Sequence, residues 1–281
     1  MIKVAIGMLR RFRMRQEKIR PDKGCALVIG NGPSAADDLL ALGSLAGYDI
    51  WSVNGFALSD QFVALKPSNY VLADPAYWSR DNHQQLNKYV KSLFDRLSTK
   101  TKWPMAIHLP FKARGNPYLS EIVNPCISFR YYNNTTYIGN CFLLRHWAYR
   151  NEYAMPATQN VLIPSIFLAI LANYQRVEIL GADHSWHSDL KVVDSVLLLK
   201  DSHFYEESST YKPFLKADGT VWTVAEIFAT WALVHRQYRF LDEFAKSVGT
   251  RIVNRSTGSF IDAFESDAAR RQLPPARQLS P

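Results

Sequence analysis

The sequence has no apolar run approaching the roughly 18–20 residues of a membrane-spanning helix, so no helical span is expected. Residues Met1 to Lys23 hold no unbroken apolar segment ahead of a small-residue cleavage site, so no secretory leader is expected there. Cysteine is scarce. Cys25, Cys126 and Cys141 are odd in number and lack metal-ligand spacing, which reads as free thiols, small and buried, in a reducing cytosol. No internal repeat punctuates the chain. What is present is 281 residues with 47% apolar content, enough for one large α/β domain or a domain plus a subdomain.

The net charge of +8 is unevenly placed. Residues 1–23 carry eight basic side chains (Lys3, Arg10, Arg11, Arg13, Arg15, Lys18, Arg20, Lys23) against Glu17 and Asp22, a net of +6, so only about +2 remains for the rest. Apolar residues such as Ile2, Ile6, Leu9 and Phe12 lie between those cations. Such a segment is drawn to anionic lipid at on the order of 1 kcal/mol per cation near the surface. A peripheral contact with the inner face of the cytoplasmic membrane and a solubilising tail are both compatible with it. Nucleic acid is not expected as a partner, because no aromatic residues interleave with basic ones in the core.

One stretch organises the remainder. Leu27-Val28-Ile29 ends in Gly30-Asn31-Gly32-Pro33-Ser34, and a helical pattern follows with Leu39, Leu40 and Leu42. This predicts a buried strand, a tight turn and a helix with Ser34 as its N-cap. Glycines let a backbone approach a ligand, and free N–H groups of a first helical turn attract anions such as phosphate.

Further strands are expected at Tyr48–Val53, Asn69–Ala73, Met105–Leu109, Val177–Leu180 and Arg251–Asn254. Helices are expected over 84–97, Ile163–Asn173 and Trp222–Val248. Residues 111–155 read as irregular loops or an edge hairpin, 185–220 as a polar insertion or lid, and 265–281 as a flexible tail. The alternation predicts a Rossmann-like parallel sheet with helices on both faces over residues 24–264. Asn31, Asn54, Asp74, Asp183 and Asn254 each follow a strand, and ligands of open parallel sheets bind beyond the carboxyl ends of the strands.

Gly30-Asn31-Gly32-Pro33-Ser34, Ser52-Val53-Asn54-Gly55-Phe56, Ala73-Asp74-Pro75, the Ile179-Leu180-Gly181-Ala182-Asp183 turn and Ser202-His203-Phe204-Tyr205 occur in an order that resembles the bacterial CMP-sialic-acid-dependent sialyltransferases of glycosyltransferase family 42. The resemblance runs from residue 25 to about 264 through short motifs. It implies a variant GT-A-type fold with a lid, and inverting, metal-independent transfer from a CMP-activated sugar to a cell-surface glycan or lipopolysaccharide. Carried over by position, the glycine turn and Asn31 contact the cytidine monophosphate, while Asn54, Asp74 and Asn160 lie along the donor. Asp183 holds the ribose or the next loop, Ser259 joins the substrate contacts, and His203 is the general base. The family's phosphate-stabilising Tyr is missing after Asp183, where the sequence runs His184-Ser185-Trp186-His187. His184, His187, Tyr205 and Tyr211 are the candidates for that role, and Kdo, legionaminic or pseudaminic acid compete with sialic acid as the sugar.

An imidazole with an unperturbed pKa of about 6.5 can accept the acceptor's proton near neutrality, worth typically about 10²–10⁴-fold in rate. The cluster Asp183, His184, His187 and Asp189 has divalent-cation chemistry, but Asp-x-Asp is absent, so neither a metal nor another cofactor is expected. Two other readings stand beside the transferase: a magnesium- and ATP-dependent enzyme resembling the pterin pyrophosphokinases, and a non-catalytic carbohydrate-binding protein. Self-association into a homo-oligomer is left open.

Overall fold

The computed structural model describes residues 5–6, 8–10, 19, 21–78, 88–201, 210–216 and 218–266. His203 and Tyr205 lie outside them, as do most of the basic N-terminal segment and residues 267–281.

Strands β1 (Cys25–Ile29), β2 (Tyr48–Val53), β3 (Asn69–Val71), β4 (Met105–Pro110), β5 (Ile127–Tyr132) and β6 (Arg176–Leu180) are followed by β7 (Leu190–Val193), β8 (Val196–Asp201) and β9 (Thr210–Pro213), then β10 (Arg251–Asn254) and β11 (Glu265–Ser266). Eight of them form one sheet in the order β11-β10-β6-β1-β2-β3-β4-β5, and every neighbouring pair is parallel. The fold is α/β and Rossmann-like. From β1 the chain steps outward through β5, then returns to place β6 on the other side of β1, so the direction of winding switches between β1 and β6.

All five residues of β1 are buried, the continuous apolar run that a strand covered on both faces requires. Its alternation feeds two cores. Ala26 and Val28 join Trp51 and Val53 beneath α5 (Leu162–Leu171) and α6 (Val224–Val248). Leu27 and Ile29 join Ile50 beneath α3 (Lys88–Lys100), which contributes Val90, Leu93, Phe94 and Leu97. Helices α1 (Ala35–Leu42), α2 (Gln61–Leu65) and α4 (Phe142–Arg150) lie between the strands. Helix α6 starts at a capping box in which Thr223 and Glu226 satisfy each other's backbone donors, and it stops at left-handed Gly249.

Several expectations are corrected. Residues 111–155 are more regular than their composition indicates: they hold β5, an edge strand paired in parallel with β4 rather than in a hairpin, and α4. The aromatic residues of this stretch pack sideways against α6 and β4, a tertiary reason invisible to local periodicity. The segment 185–220 contains β7, β8 and β9 as an antiparallel three-stranded sheet. Glu265 and Ser266 pair with β10 rather than beginning a frayed tail. Of the cysteines only Cys25 is buried, and Cys141 is exposed. Among the described residues no helix is long and apolar enough to cross a membrane.

Candidate functional site

The glycine turn after β1 packs directly on the loop after β6. Gly30 N–H donates to Leu180 O at 2.8 Å and Gly32 N–H to Gly181 O at 2.9 Å. A Cβ on Gly181, which has φ +62°, would lie 2.7 Å from Ala35 Cβ and 2.8 Å from Gly30 O, so only glycine fits both the conformation and the gap. Ser34 N–H donates to Asp183 Oδ1 at 3.2 Å. Pro33 has no N–H. Three of the turn's donors expected to meet a phosphate, the N–H groups of Gly30, Gly32 and Ser34, are therefore committed to the neighbouring loop, and a carboxylate already sits at the start of α1.

Ser34 occupies the N-cap position in right-handed geometry and makes no side-chain cap. Its hydroxyl lies 2.6 Å from Asp38 Oδ2 and 3.1 Å from Asp183 Oδ2, between two buried carboxylates. Asp38 in turn accepts from Thr257 N–H at 3.1 Å and Thr257 Oγ1–H at 2.7 Å, which ties α1 to the loop after β10. Burial pushes the Asp183 carboxyl up, against the Ser34 hydrogen bonds that pull it down, and the Asp38 charge adds to the rise.

A cleft of about 430 Å³ opens at this crossover. Its walls include Gly30, Asn31, Gly32, Pro33, Asn54, Asn160, Asp183 and His184, eight of the residues singled out in the sequence. Asn31 Nδ2 donates to Val53 O at 3.3 Å across the ends of β1 and β2. Asn54 takes φ +46° and His184 φ +53°, so two non-glycine residues of the wall are left-handed. Such conformations persist where surrounding structure over-determines them, and they collect at functional sites. Asn54 Oδ1 is buried and finds no donor among the described residues.

His184 is held from behind by α6. Its Nε2 lies 2.7 Å from Tyr238 Oη and 3.3 Å from Asn160 Nδ2. Asn160 Nδ2 also reaches Tyr238 Oη at 2.9 Å, while its Oδ1 accepts from Leu162 and Ile163 N–H at 3.1 and 3.2 Å at the start of α5. One assignment satisfies all three groups: Asn160 donates to Tyr238, Tyr238 donates to His184 Nε2, and the imidazole proton resides on Nδ1. Burial, reinforced by nearby His235, holds the His184 pKa down to about 3, so the ring is neutral throughout the physiological range. Fully buried Tyr238 was missed in the sequence. Its signal is a hydroxyl on the otherwise apolar stripe of α6.

Other expected residues stand apart from this cleft. Asp74 is exposed and accepts from Ala76 N–H at 2.8 Å, capping a short 3-10 turn. Ser259 donates to Ala182 O at 2.6 Å and accepts from buried Asn254 at 2.8 Å, stapling the loops after β6 and β10. His187 is exposed against Phe260, with ring centroids 4.2 Å apart. Among the described residues no three His, Cys, Asp or Glu side chains gather to hold a metal ion. Among the described residues of the cleft wall the charged side chains are Asp183 and Asp189, and none is Lys or Arg.

No family model matches the chain, and neither a curated protein nor a solved structure matches it.

Proposed function

We propose that this protein is an inverting glycosyltransferase that moves an acidic sugar, sialic acid or a related nonulosonate or Kdo, from a CMP-linked donor to a cell-surface glycan or lipopolysaccharide. The observation that carries the reading is the cleft at the β1–β6 crossover, where wound parallel sheets take their nucleotides. Among the described residues its wall offers the amides of Asn31 and Asn54, a neutral imidazole and the carboxylates of Asp183 and Asp189, with no cationic side chain. Neutral donors suit the single phosphodiester of a CMP-sugar better than a triphosphate, whose extra charge needs lysine, arginine or a cation.

In this reading the acceptor hydroxyl oxygen attacks the anomeric carbon, the bond to the phosphate oxygen breaks, and CMP departs. The hydroxyl proton passes to His203. His184, protonated on Nδ1 and too buried to become a cation, stabilises the departing phosphate by donating a hydrogen bond, the part the missing Tyr plays in the resembling family. The variant GT-A architecture and a lid role for 185–220 belong to the same proposal, with β7 to β9 as the framework of the lid.

Peripheral membrane attachment completes it. Exposed Ile6, Met8 and Leu9 stand beside Arg10, which is tied to the domain by a 3.1 Å hydrogen bond to Thr135 Oγ1. A thermal-shift screen with CMP, CDP, UDP and ATP tests the core of the proposal: stabilisation by CMP supports it, and stabilisation by ATP with magnesium alone overturns it.

A further inference from the structure

A chain of rings runs out of the cleft toward solvent. His184 in the cleft wall packs on Trp186 with centroids 4.2 Å apart, and Trp186 meets Trp231 at 5.7 Å. Trp231 meets Phe228 at 5.5 Å. On α6 the positions 228, 231, 235 and 238 share one face, and burial rises along them. Phe228 is 49% exposed, Trp231 and His235 are half-buried, and Tyr238 is fully enclosed behind His184.

Soluble proteins seldom leave large contiguous rings in water without using them. Polar groups border this row. Asp262, whose charge is felt at His235, pairs with Arg239 at 2.7 Å, and both partners of that pair are largely exposed. Flat apolar faces beside exposed carboxylate and guanidinium groups match one ligand chemistry. The axial C–H hydrogens of a pyranose carry partial positive charge and lie well on the negative face of an aromatic ring. Its hydroxyls then bond to planar polar side chains. The Asp262 charge is balanced by Arg239, Asp189 in the adjoining wall disfavours an anionic lipid surface, and the excess positive charge of the chain lies instead on the segment attached at Thr135.

We propose that Phe228, Trp231 and Trp186 form a stacking subsite for a neutral pyranose at the end of an acceptor glycan, leading its hydroxyl into the cleft. The acceptor role rests on the transferase reading, whereas the stacking rests on the rings themselves.

The test uses the full chain and three neutral saccharides: lactose, maltotriose and N,N′-diacetylchitobiose. Saturation-transfer NMR and tryptophan fluorescence report contact, and thermal shift with CMP is read in parallel. At least one saccharide should receive saturation at its ring protons, and Trp231→Ala should weaken it about ten-fold, the scale of one lost aromatic contact. Phe228→Ala, at a more exposed position, should weaken it less, and neither change should alter the CMP shift. No saturation of any saccharide, or unchanged affinity in Trp231→Ala, overturns the subsite. Loss of binding to phosphatidylglycerol vesicles in Phe228→Ala and Trp231→Ala, without an effect on saccharides, also overturns it and assigns the face to lipid. Saccharide binding without any CMP shift upholds the subsite and removes the transferase. A CMP shift without saccharide binding does the reverse.

Discussion

Gly32 and the Asp183 carboxylate are separated by less than the width of a methyl group. A Cβ on Gly32 would run into Asp183 and lie 2.6 Å from Gly181 O, so the loops after β1 and β6 touch only because this side chain is absent. Gly32→Ala must push Asp183 off Ser34, at a cost of about 1–3 kcal/mol from overpacking alone. Gly47→Ala meets nothing within 4 Å and should stay within about 1 kcal/mol of wild type, on the stabilising side. Urea denaturation of the two variants checks the contrast, and equal stabilities would refute it.

Acid should weaken the fold earlier than carboxylates alone would dictate. Burial holds His184 and His108 at about 3, against about 6.5 for an unfolded histidine. Between those values the unfolded chain binds more protons than the folded one. Their contribution is complete above pH of about 6.5 and is lost as pH falls toward 3, at up to about 1.4 kcal/mol per pH unit for each ring. His146 and His235 are shifted in the same direction. Denaturation midpoints between pH 7.5 and 5 should show this slope, and His184→Gln should reduce it by roughly one histidine's share.

Glu178 is fully buried within β6 and is served by three partners: Arg176 at 2.8 Å, Arg255, and Tyr48 Oη at 2.9 Å. Removing Arg255 leaves a buried charge underpaired, so Arg255→Met should cost about 3 kcal/mol. Adding Glu178→Gln should recover part of that loss. Additive costs in the double variant would show that the two residues do not act as a pair.

The transferase reading makes its own demand on His203. His203→Ala should abolish transfer from a CMP-sugar while leaving the CMP thermal shift intact, and full activity would remove the base assignment. Asn160→Ala should lower stability by about 1 kcal/mol through loss of the α5 cap and should also reduce transfer through His184.

Deleting residues 2–20 should lower recovery of the protein with anionic vesicles without stopping activity on soluble acceptors. Undiminished pelleting of the truncated chain would place membrane attachment elsewhere.

Much of the fold was legible because buried parallel strands carry their own signature. The boundaries of Tyr48–Val53 and Arg251–Asn254 agree with the structure to the residue, and the helix expected over Trp222–Val248 is α6, which starts two residues later at Val224. Strand β5 was not legible, since an edge strand is buried on fewer sides and its sequence, Ile-Ser-Phe-Arg-Tyr-Tyr, loses the apolar continuity of β1. The candidate site was legible in part. Asn31, Asn54, Asp183 and His184 come together as strand-end positions of a parallel sheet should, whereas Asp74 serves its own turn, a local role that leaves the same trace in sequence.

Sequence alone determined the alternation of strands and helices and the ring of polar residues at the strand ends, because both are local consequences of burial and turn chemistry. Only the tertiary structure decided what those residues face. The glycines at 30, 32 and 181 serve the contact between two loops, and Asp183 takes the helix start that a phosphate would have taken. His184 is kept neutral by its burial and held by a hydrogen bond to Tyr238, fifty-four positions away. The reason is physical: hydrogen-bond partners and desolvation depend on which chain segments meet, and that is set by the packing of the whole sheet.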